Sequence, residues 1–265
     1  MNVKFLSDKE QLTSHISNAD TALKIKRCLD IAQRSVFHFD EQATFFLSPE
    51  NIVLFRDIAD KISELKYKID GGIDEFERAI FVFTNENLDF QEEFLSFIKL
   101  RFNLKFKKIS HRDILGATLG LGISRDFIGD IILLENEAYI VCLKTIAPYI
   151  EQNLTQVGRT SVAVSIVQRE DVKHIVPEVA EKIFTVPSLR IDKVVAGVFN
   201  LSGIKAQEII SQGRVSLNHA LVIKPSEKVK DNSIISVRGL GKVRFKHIIS
   251  ETSKGKWRVL CFKYV

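Results

Sequence analysis

Apolar residues recur at helical spacing from the start of the chain, where Leu12, Ile16, Leu23 and Ile31 predict a helix over residues 8–36. Ser48-Pro49 marks a second helix start, with serine as N-cap and proline in the first turn. Ile52, Phe55, Ile58, Ala59 and Ile62 continue it. The period then falls to two. Tyr67 and Ile69 predict a short strand closed by Gly71-Gly72, and residues 79–83 and 94–106, rich in β-branched and aromatic side chains, predict longer ones. Helical spacing returns over 110–121. Strands follow at 129–134 and 138–143 around Glu135-Asn136-Glu137, then a helix at 145–154 and a strand at 160–168. The charged stretch 169–179, with Pro177, reads as a linker, and 183–186 as a short connecting strand.

Beyond the linker the elements shorten. Ile191, Val194, Val195 and Val198 form the apolar face of one helix. Ser202 caps a second, with Ala206, Ile209 and Ile210 inward and Gly213 ending it. Val215 and Leu217 share one face of a strand, Asn218-His219 turns it into residues 220–223, and 234–237 form another strand. Over 242–246 alternation is strict. Val243 and Phe245 face in, so Lys242, Arg244 and Lys246 line one surface. The pattern as a whole predicts a multi-domain α+β protein. Its parts are a mostly helical N-terminal subdomain (1–75), a central α+β domain of sandwich-like build (76–170) and a small C-terminal domain (181–265).

Charge sharpens this division. Residues 187–265 carry 15 Lys and Arg against 5 Asp and Glu, whereas residues 1–186 carry 23 against 28. A compact positive segment on a mildly negative remainder is the footprint of phosphate binding, although a membrane surface or an acidic protein would leave a similar one. The first residues lack an apolar run suited to a signal peptide, and no apolar stretch approaches the roughly 20 residues needed to span a bilayer. The expectation is a cytoplasmic monomer without a membrane partner. Cys28, Cys142 and Cys261 are odd in number and lack ligand spacing, so no disulfide framework, metal or cofactor is expected.

One upstream segment invites a catalytic reading. His111-Arg112-Asp113-Ile114-Leu115-Gly116 fails as a protein-kinase loop, because Thr118 stands where a metal-binding Asn would be and no Gly-rich phosphate loop exists. As a pseudouridine-synthase signature it is out of order, since Asp113 follows Arg112 directly. His111 and Asp113 as a general acid/base pair remain open beside a simpler reading, in which Ser110 caps a helix and Asp113 favours its dipole. Gly116, Gly120, Gly122 and Gly129 read as close-packing and C-cap positions, because no Gly-Lys-Ser/Thr follows them.

Two resemblances go further. Leu-Arg-Ile-Asp-Lys-Val at 189–194, the run from Ser202 through Lys205, Gly213 and Arg214 to Asn218, and Ile-Ile-Ser-Val-Arg-Gly at 234–239 resemble the S4 domain, a small RNA-binding module. That resemblance implies RNA contacts at Arg190, Lys193, Lys205 and Arg214, with Asn218 at the hairpin and Lys242, Arg244 and Lys246 beside them. Gly203 stands where the family often has Arg, and His219 where it often has Gly. The order of Gly71-Gly72, Glu77-Arg78, His111–Gly116, Leu119–Ile123, Gly129–Ile132 and Asn153–Arg159 resembles the YlmH family from about residue 65 onward. Membership implies a non-enzymatic, cytoplasmic bacterial protein that binds RNA on the ribosome. It also implies association with large-subunit RNA, peptidyl-tRNA and the rescue of stalled translation, and genes near those for cell division. Arg112, Arg125 and Arg159 are then secondary RNA contacts. The alternatives are an RNA-modifying enzyme of the pseudouridine-synthase kind, with His111 and Asp113 as working groups, and a basic tail that docks an acidic protein.

Overall fold

The structure, a computed structural model, describes residues 9–38, 40–62, 65–74, 76–84, 89–103, 109–172, 179–218 and 220–264. The first eight residues, Pro177 of the linker and His219 of the hairpin turn lie outside the described residues. The chain divides into two compact units, Met1–Ile175 and Val176–Val265, and the division falls within the stretch read as a linker.

The first unit begins with α1 (Lys9–Thr13), α2 (Ala19–His38), β1 (Gln42–Ala43), α3 (Pro49–Ala59), β2 (Lys66–Asp70) and β3 (Ile80–Thr84). It continues with β4 (Leu95–Phe102), α4 (His111–Gly120), β5 (Ile128–Leu133), β6 (Glu137–Leu143), α5 (Ala147–Asn153), β7 (Gln156–Val157) and β8 (Thr160–Val167). The helix predicted over 8–36 is thus two helices. Asn18 accepts a hydrogen bond from Thr21 N at 2.9 Å, restarting the backbone as a cap where the apolar spacing alone gave no break.

Two antiparallel sheets stack within this unit, one ordered β1-β3-β2 and the other β5-β6-β4-β8-β7. Because β2 and β3 pair, the strands on either side of residue 75 share one sheet. Ile25, Leu29 and Phe55 of α2 and α3 pack on Phe81 and Phe83. Ile80 and Val82, on the other face of β3, meet Phe97, Tyr139 and Val141 of the second sheet. Ile114 and Ile150 of α4 and α5 cover that sheet's far side at Ile98, Leu100 and Ile140. Every residue of β3 is buried, which is why residues 79–83 show no polar alternation. Gly129 permits close approach, since a Cβ there would stand 2.5 Å from the Phe46 ring. Gly116 and Gly120 do not match the close-packing expectation. A Cβ at either would meet nothing within 4 Å, so they leave an open stretch of α4, and Gly122 at φ +83° ends the turn beyond it.

The second unit contains β9 (Val179–Val186), α6 (Ile191–Val198), α7 (Gly203–Ser211), β10 (Val215–Leu217) and β11 (Ala220–Val222). It ends with β12 (Ile234–Val237), β13 (Gly241–Glu251) and β14 (Trp257–Tyr264). Its antiparallel sheet runs β11-β10-β12-β13-β14-β9. The segment read as a connecting strand is the edge strand β9, longer than 183–186 and paired along its length with β14. Val194, Val195, Val198, Ile209 and Ile210 of the two helices pack on Val215, Val243, Phe245, Val259 and Cys261. At about 1.5–3 kcal/mol per large apolar side chain removed from water, this face holds the unit together.

Burial pushes the thiols of Cys28, Cys142 and Cys261 up to about 12, which keeps them protonated packing groups at neutral pH. Among the described residues no helix is long and apolar enough to cross a membrane, and no group of His, Cys, Asp and Glu could hold a metal ion.

Candidate nucleic-acid interface

The start of α6 is organised around one buried carboxylate. Arg190, extended at the N-cap, donates from Nε and Nη2 to Asp192 Oδ1 and Oδ2 at 3.0 and 3.1 Å. Gln207 of α7 donates to Oδ2 at 3.0 Å, and Lys193 Nζ stands 3.5 Å from the same oxygen. The Asp192 side chain has no exposed surface, while those of Arg190 and Lys193 are 41% and 33% exposed. Burial alone would raise this carboxyl's pKa. The hydrogen bonds from Arg190 and Gln207, with the charges of Lys193 and Arg190, outweigh burial and hold it below the usual range. A single aspartate therefore ties α6 to α7 and holds two partly exposed cations at the start of α6.

Lys205 lies on the same helix pair, with its side chain half exposed and ion-paired to Glu208 at 2.9 Å. Ser202 caps α7 by accepting from Lys205 N. A Cβ at Gly203 would stand 3.9 Å from Lys193 Nζ, so that ammonium lies near the position an arginine side chain would leave. Arg214, where α7 gives way to β10, donates to the Arg238 carbonyl at 2.8 Å. Asn218 adopts φ 49° and joins the hairpin to β12, its Oδ1 accepting from Ile234 N at 2.8 Å.

Lys242, Arg244 and Lys246 are not on the helix side. Val243 and Phe245, between them on β13, point into the core beneath α6 and α7, so the three cations line the sheet's opposite face. The predicted contacts thus form two groups on opposite faces of one sheet. Lys242 Nζ lies 5.2 Å from the Tyr264 ring centre and Lys246 Nζ 5.3 Å from that of Phe262.

In the first unit Arg112 is exposed at the first turn of α4, and Arg159 is exposed in the turn between β7 and β8. Arg125 is committed elsewhere. Its Nη1 donates to the carbonyls of Ile128 and Gly129, and burial beside Arg78 lowers it to about 10, still charged at neutral pH. Asp113 closes a capping box, its Oδ2 accepting from Ser110 N at 2.9 Å and Ser110 Oγ at 2.6 Å. That engagement belongs to the helix start.

Sequence reasoning missed Asp192, Gln207, Phe262 and Tyr264 as parts of these surfaces. Asp192 was legible only as a letter in the Leu-Arg-Ile-Asp-Lys run. The alternation of Val259 and Cys261 with Leu260, Phe262 and Tyr264 carried the signal for β14.

A sheet backed by a helix pair, with cations on both sides, defines the second unit as a basic α+β module of the kind that binds polyanions. Comparison with known proteins adds one match within the first unit and one along most of the chain. Residues 86–171 match the family model described as "Putative RNA-binding domain in YlmH". The chain is 30% identical over 245 residues, 91% of its own length and 91% of the relative's, to "Ribosome-associated protein quality control protein P2" of Bacillus subtilis (strain 168). The chain belongs to the YlmH family. The solved structure "Cell division protein ylmH from Streptococcus pneumoniae" is a loose likeness, at 20% identity and a TM-score of 0.49 over 59% of this chain and 96% of that one.

Proposed function

We propose that this protein binds RNA on the ribosome without catalysing a reaction, and that its C-terminal unit is an S4-type module gripping folded RNA. The observation that carries the reading is the Arg190–Asp192–Gln207 network, which presents Arg190 and Lys193 beside Lys205 on one helix pair. Preorganised cations lose little conformational freedom when a phosphate arrives, and phosphate contacts set register while RNA shape sets choice. The family's matched domain, by its description, and the ribosome-associated relative support the same partner. Large-subunit RNA, with tRNA next to it, is the target, and translation stalled on the ribosome in the cytoplasm is the setting. Arg112 and Arg159 add a contact from the first unit. Binding without chemistry agrees with the commitment of Asp113 to its capping box.

Sedimentation with separated ribosomal subunits tests this reading. The full chain is expected to travel with large subunits at moderate salt and to be released as salt rises. Failure to sediment with either subunit, at low salt as well, would overturn it.

A further inference from the structure

The sheet face turned away from α6 and α7 combines charge with half-buried aromatic rings. In the pairing of β13 with β14, Arg244 stands opposite Phe262, and Val243 opposite Lys263. Phe262 and Tyr264 therefore share the outward face with Lys242, Arg244 and Lys246, and all five are half-buried, in neither core nor full solvent. On the neighbouring strand Ser236 pairs with Lys242 and Ile234 with Arg244. Both lysine ammonium groups rest over rings, Lys242 on Tyr264 and Lys246 on Phe262. On the other side of β14, Phe262 pairs with the exposed Glu181. Glu181 thus puts a negative charge on the flank away from β13.

From this juxtaposition we infer that the outer face of the C-terminal sheet is a second RNA surface, selective for unpaired nucleotides. Phe262 and Tyr264 each stack one base, while Lys242, Arg244 and Lys246 hold the backbone. Two residues along a strand place the rings about 6.7 Å apart, roughly twice the ~3.4 Å rise of stacked bases. The rings thus take two bases that are unstacked from each other, which a duplex does not offer. A base sliding onto either ring displaces a lysine that is already positioned to meet the adjoining phosphate. An acidic peptide would satisfy the cations but leave the rings without stacking partners. The inference rests on the proposed RNA binding by this unit, but it concerns the opposite face and a different form of RNA.

The test is fluorescence anisotropy of the full chain with labelled oligouridylate and, separately, a blunt RNA hairpin whose two strands are joined by a non-nucleotide linker, so that it carries no unpaired base. The wild type is expected to bind both. The double substitution Phe262→Leu with Tyr264→Leu keeps apolar bulk and removes both rings. It should weaken oligouridylate on the order of 10-fold or more and leave the hairpin within about twofold, the hairpin being held by the helix face. The ring-preserving pair Phe262→Tyr with Tyr264→Phe should bind oligouridylate as the wild type does, which separates stacking from misfolding. Equal affinity of the leucine pair and the wild type for oligouridylate would overturn the inference, as would equal loss on both RNAs or competition by polyglutamate as strong as by RNA. Large subunits binding while oligouridylate does not would overturn only this inference. Failure of the wild type on subunits and hairpin alike would overturn the function it rests on.

Discussion

Replacing Lys193, Lys205 and Arg214 together by glutamine should lower affinity for large-subunit RNA on the order of 100-fold at moderate salt. It should also flatten the slope of log K against log salt by roughly two to three units. Each cation that neutralises a phosphate releases about one counterion, so its loss reduces binding and salt dependence together. The fold should survive. Asp192 keeps Arg190 and Gln207, and the Lys193 and Lys205 side chains are 33% and 50% exposed. Arg214 loses one bond to the Arg238 carbonyl, worth about 1 kcal/mol. Anisotropy titrations of both proteins across a salt series read both quantities. Parallel lines with equal intercepts would remove these residues from the interface.

Asp192→Ala should have the largest effect on stability, about 2–3 kcal/mol for the C-terminal unit. It deletes the acceptor of charge-assisted bonds from Arg190 and the bond from Gln207, and leaves Arg190 beside a cavity. The partial exposure of Arg190 keeps the loss below that of a fully buried pair. For a unit of this size the midpoint of thermal unfolding should fall by roughly 10–20 °C. Trp257, the chain's one tryptophan, packs against the core of this unit and reports its unfolding by fluorescence.

The pH dependence has a definite sign. Asp192 is held below the ordinary carboxylate value in the folded state. Its contribution is therefore complete above the unfolded value of about 3.9 and disappears as pH falls through the folded value. Asp192→Asn should be less stable than the wild type at neutral pH and approach it only in acid. A difference unchanged down to strongly acidic pH would contradict the assigned role of the carboxylate.

Elements with one solvent-facing side were the most legible in the sequence. Ser48-Pro49 opens α3, Ser202 caps α7, and the alternation around Val243 and Phe245 places three cations on one surface. What was hidden depends on partners distant in the chain. The strand at 79–83 is buried on both faces because two sheets enclose it, so its composition could not show how the sheets stack. The opposition of Lys193 and Lys205 to Lys242, Arg244 and Lys246 follows from which face α6 and α7 cover, and charge counting is blind to faces. Glycine spacing misled for a related reason. Gly129 approaches Phe46 from another element, whereas Gly116 and Gly120 approach nothing. At the site itself, the cations were visible as charges and the aspartate that positions two of them was not, because its role lies in burial and geometry.

Ultraviolet crosslinking of the full chain to purified large subunits, followed by mass spectrometry of the RNA-linked peptides, tests the central claim most directly. The predicted result is nucleotide adducts on peptides from α6 and α7. Adducts confined to residues 9–172, or none on a protein that still sediments with subunits, would contradict RNA binding by the C-terminal unit.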